Sequence, residues 1–193
     1  MRSSLVSPMR APLGASLLAL ALAGCGEQGP PPERLRPPGP PPTPTLEQLK
    51  SATVVGVFAE PVTLADGVYA GEPVEPGAAS RPELRLWDPT FHTGDVDGEM
   101  GNEAVVLLSS TSGGSGEFVH VAVFGDRDGA LANLGTAPVG DRARLQSVWL
   151  ERGRIVMDVV EPGPQEPACC GTQVARKTFA LKGGVLKQLS SEV

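Results

Sequence analysis

The sequence predicts a mostly β domain, folded as a single antiparallel sandwich or curled sheet with one short N-terminal helix. Apolar residues alternate with a period of two along much of the second half of the chain, as in strands whose two faces meet different surroundings. Turn-forming pairs separate these segments at Asp66-Gly67, Asp128-Gly129 and Gly183-Gly184. Regularly spaced strands joined by short turns favour an antiparallel arrangement over a parallel α/β fold.

The helix is expected at the start of the domain. Thr45-Leu46-Glu47-Gln48 has the pattern of a capping box, in which Thr45 is the N-cap and Gln48 reaches back to it. The helix would continue through Lys50 and turn Leu46 and Leu49 inward.

Two strand predictions are the most specific. Residues 117–124 alternate Phe, His, Ala and Phe with three valines, which indicates an interior strand covered on both sides. Residues 144–150 and 154–160 flank Glu151-Arg152-Gly153, where the glycine can take a positive φ, and this predicts a hairpin. Further apolar runs predict strands at 53–58, 104–108, 173–181 and 185–189.

Composition limits the classes of function. The chain has 193 residues and a formal net charge of −6, with 24 glycines, 20 prolines and only 4% aromatic residues. Such a chain forms a modest core with many turns. Because a negative surface repels phosphate backbones, nucleic-acid binding is excluded, and electrostatic docking to a membrane is not expected from the net charge.

The N-terminus has the features of an export signal. Arg2 and Arg10 are followed by an apolar run at residues 13–23, shorter than the roughly 20 residues that a helix needs to cross a bilayer. The run has no polar face, so a buried N-terminal helix is not favoured. Leu22-Ala23-Gly24-Cys25 resembles the lipobox of bacterial lipoproteins, in which the cysteine receives diacylglycerol and the chain is cut before it.

That resemblance implies a signal peptide at residues 1–24 and a lipidated Cys25 whose acyl chains, such as palmitate, anchor the protein. Gly26 is not Asp, which in diderm bacteria implies sorting to the outer membrane. Residues 25–44 are then a disordered Pro-rich tether, and residues 45–193 the envelope domain. In polyproline II, at about 3.1 Å per residue, the tether reaches on the order of 50 Å. A PxxP ligand is the alternative interpretation.

The domain itself resembles a group of uncharacterised bacterial envelope proteins, often lipoproteins. The matching residues are 94–98, 103–108 and 113–118, which read as an acidic loop, a strand, and a Gly-Ser turn leading to a second strand. Shorter matches continue at residues 134–135, 140–142 and 153–156. The resemblance implies an extracytoplasmic β-rich domain and carries no mechanism.

The acidic loop is a candidate calcium site. Asp95, Asp97, Glu99 and Glu103 occupy positions one, three, five and nine of a loop that resembles the calcium loops of dockerin-like and FG-GAP repeats. Calcium takes six to eight hard oxygens, and alternating carboxylates can supply several of them. Met100, however, stands where such loops need glycine. The alternative is a degenerate loop whose side chains cap its own amides or face water.

Cys169 and Cys170 are the only cysteines besides Cys25. Adjacent cysteines in an oxidising compartment can close a strained vicinal disulfide. Two free thiols, an intermolecular bond, and a redox or metal role are the alternatives.

No catalytic motif is complete in this sequence. Ser115 lacks the glycine two residues after it that a nucleophile elbow requires, and no Gly-Lys-Ser/Thr follows the glycine-rich loop. His120 is interpreted as a packed residue with one hydrogen bond, and His92 as a loop residue. Asp158 would lie on the wet face of a sheet or pair with Arg176 or Lys177.

These patterns together predict a membrane-anchored, non-enzymatic binding or structural module of the cell envelope. It would face the periplasm or the cell surface and contact cell wall or another envelope protein. A calcium-dependent binding or adhesion domain is the first alternative, and a hydrolase the second. No cofactor is expected apart from calcium.

Overall fold

A computed structural model describes residues 39–193, which belong to one compact unit. The predicted signal peptide, Cys25 and most of the predicted tether lie outside the described residues. The prediction of a mostly β, antiparallel fold with one short helix is confirmed. In chain order the elements are α1 (Leu46–Leu49), β1 (Thr53–Val54), β2 (Val62–Thr63), β3 (Val68–Ala70), β4 (Pro82–Gly94), β5 (Glu103–Ser112), β6 (Phe118–Arg127), β7 (Ala130–Asp141), β8 (Arg144–Glu151), β9 (Arg154–Glu161), β10 (Gln173–Lys182) and β11 (Val185–Glu192).

Two antiparallel sheets pack face to face. One has five strands in the order β3-β4-β5-β6-β7, and the other has four in the order β11-β10-β9-β8. The core between them is almost wholly aliphatic, with Ile155, Met157 and Phe179 fully buried from the four-stranded sheet. The predicted sandwich is therefore the observed architecture.

A second core covers the opposite face of the five-stranded sheet. Helix α1 and the β1–β2 ribbon bring Leu49, Val54 and Leu64 onto Val106 and Phe124. The valines of β6 face the first core while Ala122 and Phe124 face the second. This confirms the prediction that β6 is an interior strand covered on both sides.

The capping box at the start of α1 forms as predicted. The Thr45 hydroxyl accepts from the Gln48 amide, and the Gln48 side chain accepts from the Thr45 amide at 2.9 Å. These bonds satisfy N-terminal amides that a four-residue helix cannot satisfy internally. They hold Leu49, which is fully buried, against the second core.

The hairpin predicted around residues 151–153 is also present, between β8 and β9. Its two turn residues, Arg152 and Gly153, have φ of 51° and 70°. Two consecutive positive φ values are the mark of a type I′ turn, whose twist matches that of the flanking strands. The Asp66-Gly67, Asp128-Gly129 and Gly183-Gly184 pairs have the same pattern.

Strand β4 was not predicted, and it corrects one prediction. His92, interpreted as a loop residue, lies within β4 and pairs with Val105 of β5. The register shifts between Trp87 and His92, so that β4 bulges there. Within the bulge, Thr90 accepts from the Leu107 amide with its hydroxyl and donates to the Trp87 carbonyl. One side chain thus replaces ladder bonds that the bulge removes.

The strands at the sheet edges are short or interrupted. β3 has three residues. β7, at the opposite edge of the five-stranded sheet, contains Pro138 and has two register shifts against β6. In the other sheet, β8 bulges at Gln146 and β11 at Leu189.

Strand β10 carries a buried cation between the sheets. Lys177 is 6% exposed, and its ammonium group donates to the Val139 carbonyl of β7 at 2.7 Å and to the Glu161 carboxylate of β9. An unpaired ammonium at this depth would cost several kcal/mol, so both acceptors stabilise the buried charge. The bond to the Val139 carbonyl also links the two sheets, because Val139 belongs to the five-stranded one.

The compact unit begins before the predicted boundary at residue 45. Pro44 is buried, and Pro41 lies so close to Gly101 that a Cβ there would be 2.9 Å from the proline ring. Residues 39–44 therefore lie against the domain. Within residues 39–193, no helix is long and apolar enough to cross a membrane.

We expect Lys177→Met to lower the free energy of unfolding by about 3 kcal/mol, because it leaves the Glu161 carboxylate without its cation. Chemical denaturation of the full chain measures this. The double variant Lys177→Met/Glu161→Gln, which removes both charges, should recover most of the loss. A single variant that loses less than about 1 kcal/mol would contradict the role of the pair.

Candidate functional site

The acidic loop between β4 and β5 brings three of its four predicted residues together. One carboxylate oxygen each of Asp95, Asp97 and Glu103 lies within 4.8 Å of the others. Glu99 is not part of this group, and its amide instead donates to Asp97 at 2.8 Å. The predicted set of four ligands is thus reduced to three.

The same carboxylates cap the loop's own amides, which was the alternative interpretation. Asp95 accepts from the Gly98 amide at 2.7 Å, and Glu103 accepts from the amides of Val96 and Asp97 at 2.7 and 3.3 Å. Burial raises the pKa of Glu103, and the neighbouring charges of Asp97 and Asp95 raise it further. The loop therefore gathers negative charge that its backbone donors only partly compensate.

The two adjacent cysteines lie in the loop between β9 and β10. Both are exposed, and their sulfur atoms are 2.6 Å apart. The pKa of Cys170 is raised, chiefly by its hydrogen bond with Cys169.

Contacts at both ends hold this cysteine loop in place. The Glu166 carboxylate accepts from the amides of Gly163 and Thr172 at 2.9 and 2.8 Å and from the Thr172 hydroxyl, which lowers its pKa to about 2. Arg144 of β8 donates to the Gly171 carbonyl at 2.7 Å. Cys169 borders a cleft of about 240 Å³ whose walls include Trp87, Val160 and Arg144.

A nucleophile and a base that the sequence did not associate are neighbours in the five-stranded sheet. The Ser110 hydroxyl on β5 and the Nε2 atom of His120 on β6 are 2.9 Å apart. Burial lowers the pKa of His120, so its ring is neutral at pH 7. No carboxylate among residues 39–193 is hydrogen-bonded to His120, and Ser110 is only 7% exposed. The register of β5 and β6 is the signal that would have identified this pair.

The outer face of the four-stranded sheet, which points away from the first core, carries the partly buried Trp149. Trp149, Val156 and Thr178 form one row across β8, β9 and β10, and Ser147, Asp158 and Arg176 form the next. Neither core cluster includes an outward residue of this sheet.

Arg176 and Trp149 interact across these rows. The Arg176 guanidinium carbon lies 5.2 Å from the centroid of the Trp149 ring, a cation–π distance. Its Nε and Nη2 atoms donate to the two oxygens of Asp158 at 2.8 and 3.0 Å. This bond lowers the pKa of Asp158 and raises that of Arg176. Asp158 thus lies on the outer face and pairs with Arg176, while Lys177 points to the opposite side.

A shallow groove of about 320 Å³ runs beside Trp149. Arg152, Arg154 and Arg176 line it together with Glu151. Arg152 and Arg154 are exposed, and neither forms an ion pair with another residue of the described part of the chain. The groove therefore offers two uncommitted guanidinium groups next to an indole ring.

The outer face is basic on an acidic protein. Residues 39–193 contain twelve basic and twenty acidic side chains. Strand pairing places five of the basic ones on the outer face but only three of the acidic ones. The basic residues are Arg144, Arg154, Arg176, Lys182 and Lys187, and the acidic residues are Glu151, Asp158 and Glu192. This asymmetry gives the face a positive field that the net charge conceals.

The chain was compared with protein-family models, curated proteins and solved structures, and no significant match was found in any of the three comparisons.

We expect Cys169 and Cys170 to take up no alkyl group without prior reduction when the protein is produced in an oxidising compartment, because such a compartment favours closure of the vicinal disulfide. Mass spectrometry of the alkylated, unreduced protein measures the added mass. Two added groups would exclude the ring, and a dimer that dissociates on reduction would indicate an intermolecular bond instead. Cys169→Ser provides the control, since it leaves one thiol that must alkylate.

We expect a serine-reactive fluorophosphonate probe to leave the pure protein unlabelled, because Ser110 is buried and no carboxylate orients His120. In-gel fluorescence measures the labelling. Labelling that disappears in Ser110→Ala and persists in Ser109→Ala would contradict the non-enzymatic interpretation and revive the hydrolase alternative.

Proposed function

We propose that this chain is a lipid-anchored, non-enzymatic binding module of a bacterial envelope. The N-terminal pattern supports the anchor, since basic residues, an apolar run and small residues precede Cys25. Several acyl chains on one cysteine, at about 0.8 kcal/mol for each buried CH₂ group, hold a protein on a membrane without a span. In a diderm bacterium, Gly26 in place of Asp after the lipidated cysteine would direct the protein to the outer membrane.

The observation that carries the binding role is the open outer face of the four-stranded sheet. Apolar clusters lie on both sides of the five-stranded sheet, whereas the outer face of the four-stranded sheet carries the partly buried Trp149 and several exposed cations. A partly buried indole beside guanidinium groups is typical of binding surfaces, where aromatic and Arg side chains contribute most of the affinity. A purely structural module has no need of this arrangement.

The tether fits the same role. The prolines at positions 30–38, which precede the residues that lie against the domain, favour an extended chain between the anchor and the domain. A domain held away from the bilayer can reach cell wall or another envelope protein. Attachment and recognition are then separate, with Cys25 supplying the first and the outer face the second.

We expect cells grown with radiolabelled palmitate to incorporate the label into the native protein, and the protein to partition into the detergent phase. Cys25→Ser removes the acylated sulfur and should abolish both signals. Cys169→Ser and Cys170→Ser are matched controls that should keep them. A native protein without label, or a Cys25→Ser variant that partitions like the native one, would contradict the proposal.

Calcium-dependent binding is a second candidate, favoured by the convergence of Asp95, Asp97 and Glu103. Burial is the main cause of the raised pKa of Glu103, and a divalent cation there would relieve the repulsion from Asp97 and Asp95 that adds to it. The acidic loop lies beside the turn between β8 and β9, because Gly153 of that turn is close to the Val96 carbonyl of the loop. A bound cation would therefore stabilise the surface that the loop and this turn form together.

We expect 2 mM calcium to raise the melting temperature of the chelator-treated protein if this candidate holds, because a ligand that binds the folded state stabilises it by mass action. Scanning calorimetry measures the shift. Asp95→Ala should abolish it, whereas Glu99→Ala should preserve it because Glu99 lies outside the cluster. An unchanged melting temperature would eliminate the candidate.

A further inference from the structure

The groove beside Trp149 restricts what can bind there. Its lining contains an indole ring, three guanidinium groups and one carboxylate. Trp149 shares its row with Val156 and Thr178 and is partly buried, so its indole forms part of the groove wall and not an isolated projection. An indole edged by cations suits a ligand that has an apolar face and carries negative charge.

The positive charges extend beyond the groove across the face. Arg154 lies on β9, Arg176 on β10, Lys182 at the end of β10 and Lys187 on β11. Adjacent strands in a sheet are about 4.8 Å apart, so these cations are spread over several strand spacings. A single small anion would meet one or two of them, while a polymer with repeated charges would meet the series.

The pairing of each cation shows which ones can meet a ligand. Arg176 is held by both oxygens of Asp158 and by the Trp149 ring, so it is a fixed part of the groove wall. Arg152 and Arg154 have no ion-pair partner among the described residues and keep all of their guanidinium donors for a ligand. Guanidinium groups bind carboxylates with two parallel hydrogen bonds.

We infer that the outer face of the four-stranded sheet binds an anionic glycan, a sugar polymer that carries carboxylates along its length. The C–H face of a sugar ring packs on the part of Trp149 that Arg176 leaves exposed, and carboxylates of the same and neighbouring sugars pair with Arg152 and Arg154. This inference deepens the proposed function by naming the ligand class, and it rests on that function for the presence of the ligand near the domain. Charge complementarity carries it, because this basic face belongs to a protein whose remaining surface would repel such a polymer.

Retention of the full-length lipoprotein on polygalacturonate beads tests the inference. The protein is held in nonionic detergent micelles, with chelator present so that calcium cannot bridge protein and polymer. We expect binding to polygalacturonate and none to neutral dextran beads. Raising the salt from 50 to 300 mM should weaken the binding several-fold, since screening acts on exposed charges.

Two matched variants locate the surface. Arg152→Gln/Arg154→Gln should raise the dissociation constant at least about fivefold, because it removes the two free guanidinium groups. Arg127→Gln, an exposed arginine in β6 of the other sheet, should leave it unchanged. Trp149→Phe keeps an aromatic ring and should weaken binding less than Trp149→Ala, provided that calorimetry shows both variants folded.

Three results would overturn the inference. These are equal retention on dextran, an equal effect of Arg127→Gln, and binding of phosphatidylglycerol in mixed micelles without binding to the glycan. Palmitate labelling of the same preparation separates the two proposals. A labelled protein that ignores polygalacturonate would refute the glycan ligand and leave the anchor intact, whereas an unlabelled protein that binds it would do the opposite.

Discussion

The structure depends on one constraint, which is that the central strands of the five-stranded sheet are apolar on both faces. Val105 and Leu107 of β5 face one way, and Val106 and Leu108 face the other. Because exposure of either face would cost roughly 25 cal/mol for each Å² of apolar surface, both must be covered. The four-stranded sheet covers one face, and the helix with the β1–β2 ribbon covers the other. Residues 39–193 therefore form three layers, and neither apolar cluster reaches the outer face of the four-stranded sheet.

Sequence reasoning succeeded where a pattern is local. The alternation in β6, the capping box at Thr45 and the glycine turns each depend on neighbouring residues, and each is present in the structure. It failed for β4 and β7. Both contain proline and both are bulged against their neighbours, so the apolar period is broken within each strand. β4 and β7 can be identified only from their pairing with β5 and β6, which the local sequence pattern does not contain.

The candidate sites also divide into those that follow from local spacing and those that depend on strand pairing. The acidic loop could be found from spacing, but the absence of Glu99 from the cluster depends on the direction of one turn. Ser110 with His120, and Trp149 with Arg176, are neighbours only through strand register. Arg176 and Lys177 make the point most clearly. They are adjacent in sequence, yet one pairs with Asp158 in solvent and the other with Glu161 between the sheets, because side chains alternate along a strand.

The interrupted edge strands affect how neighbouring copies of the domain could pair with one another. Molecules fixed to a lipid sheet diffuse in two dimensions and collide in similar orientations, which favours sheet-to-sheet pairing wherever a long, regular edge is free. Here every edge departs from that template, through a three-residue β3, a proline in β7, and the extra residues Gln146 and Leu189. Such edges leave only short regular stretches of backbone free for pairing with a neighbouring copy. On a membrane that carried many copies, as the proposed anchor would allow, these short stretches would disfavour sheet-to-sheet association of the domains.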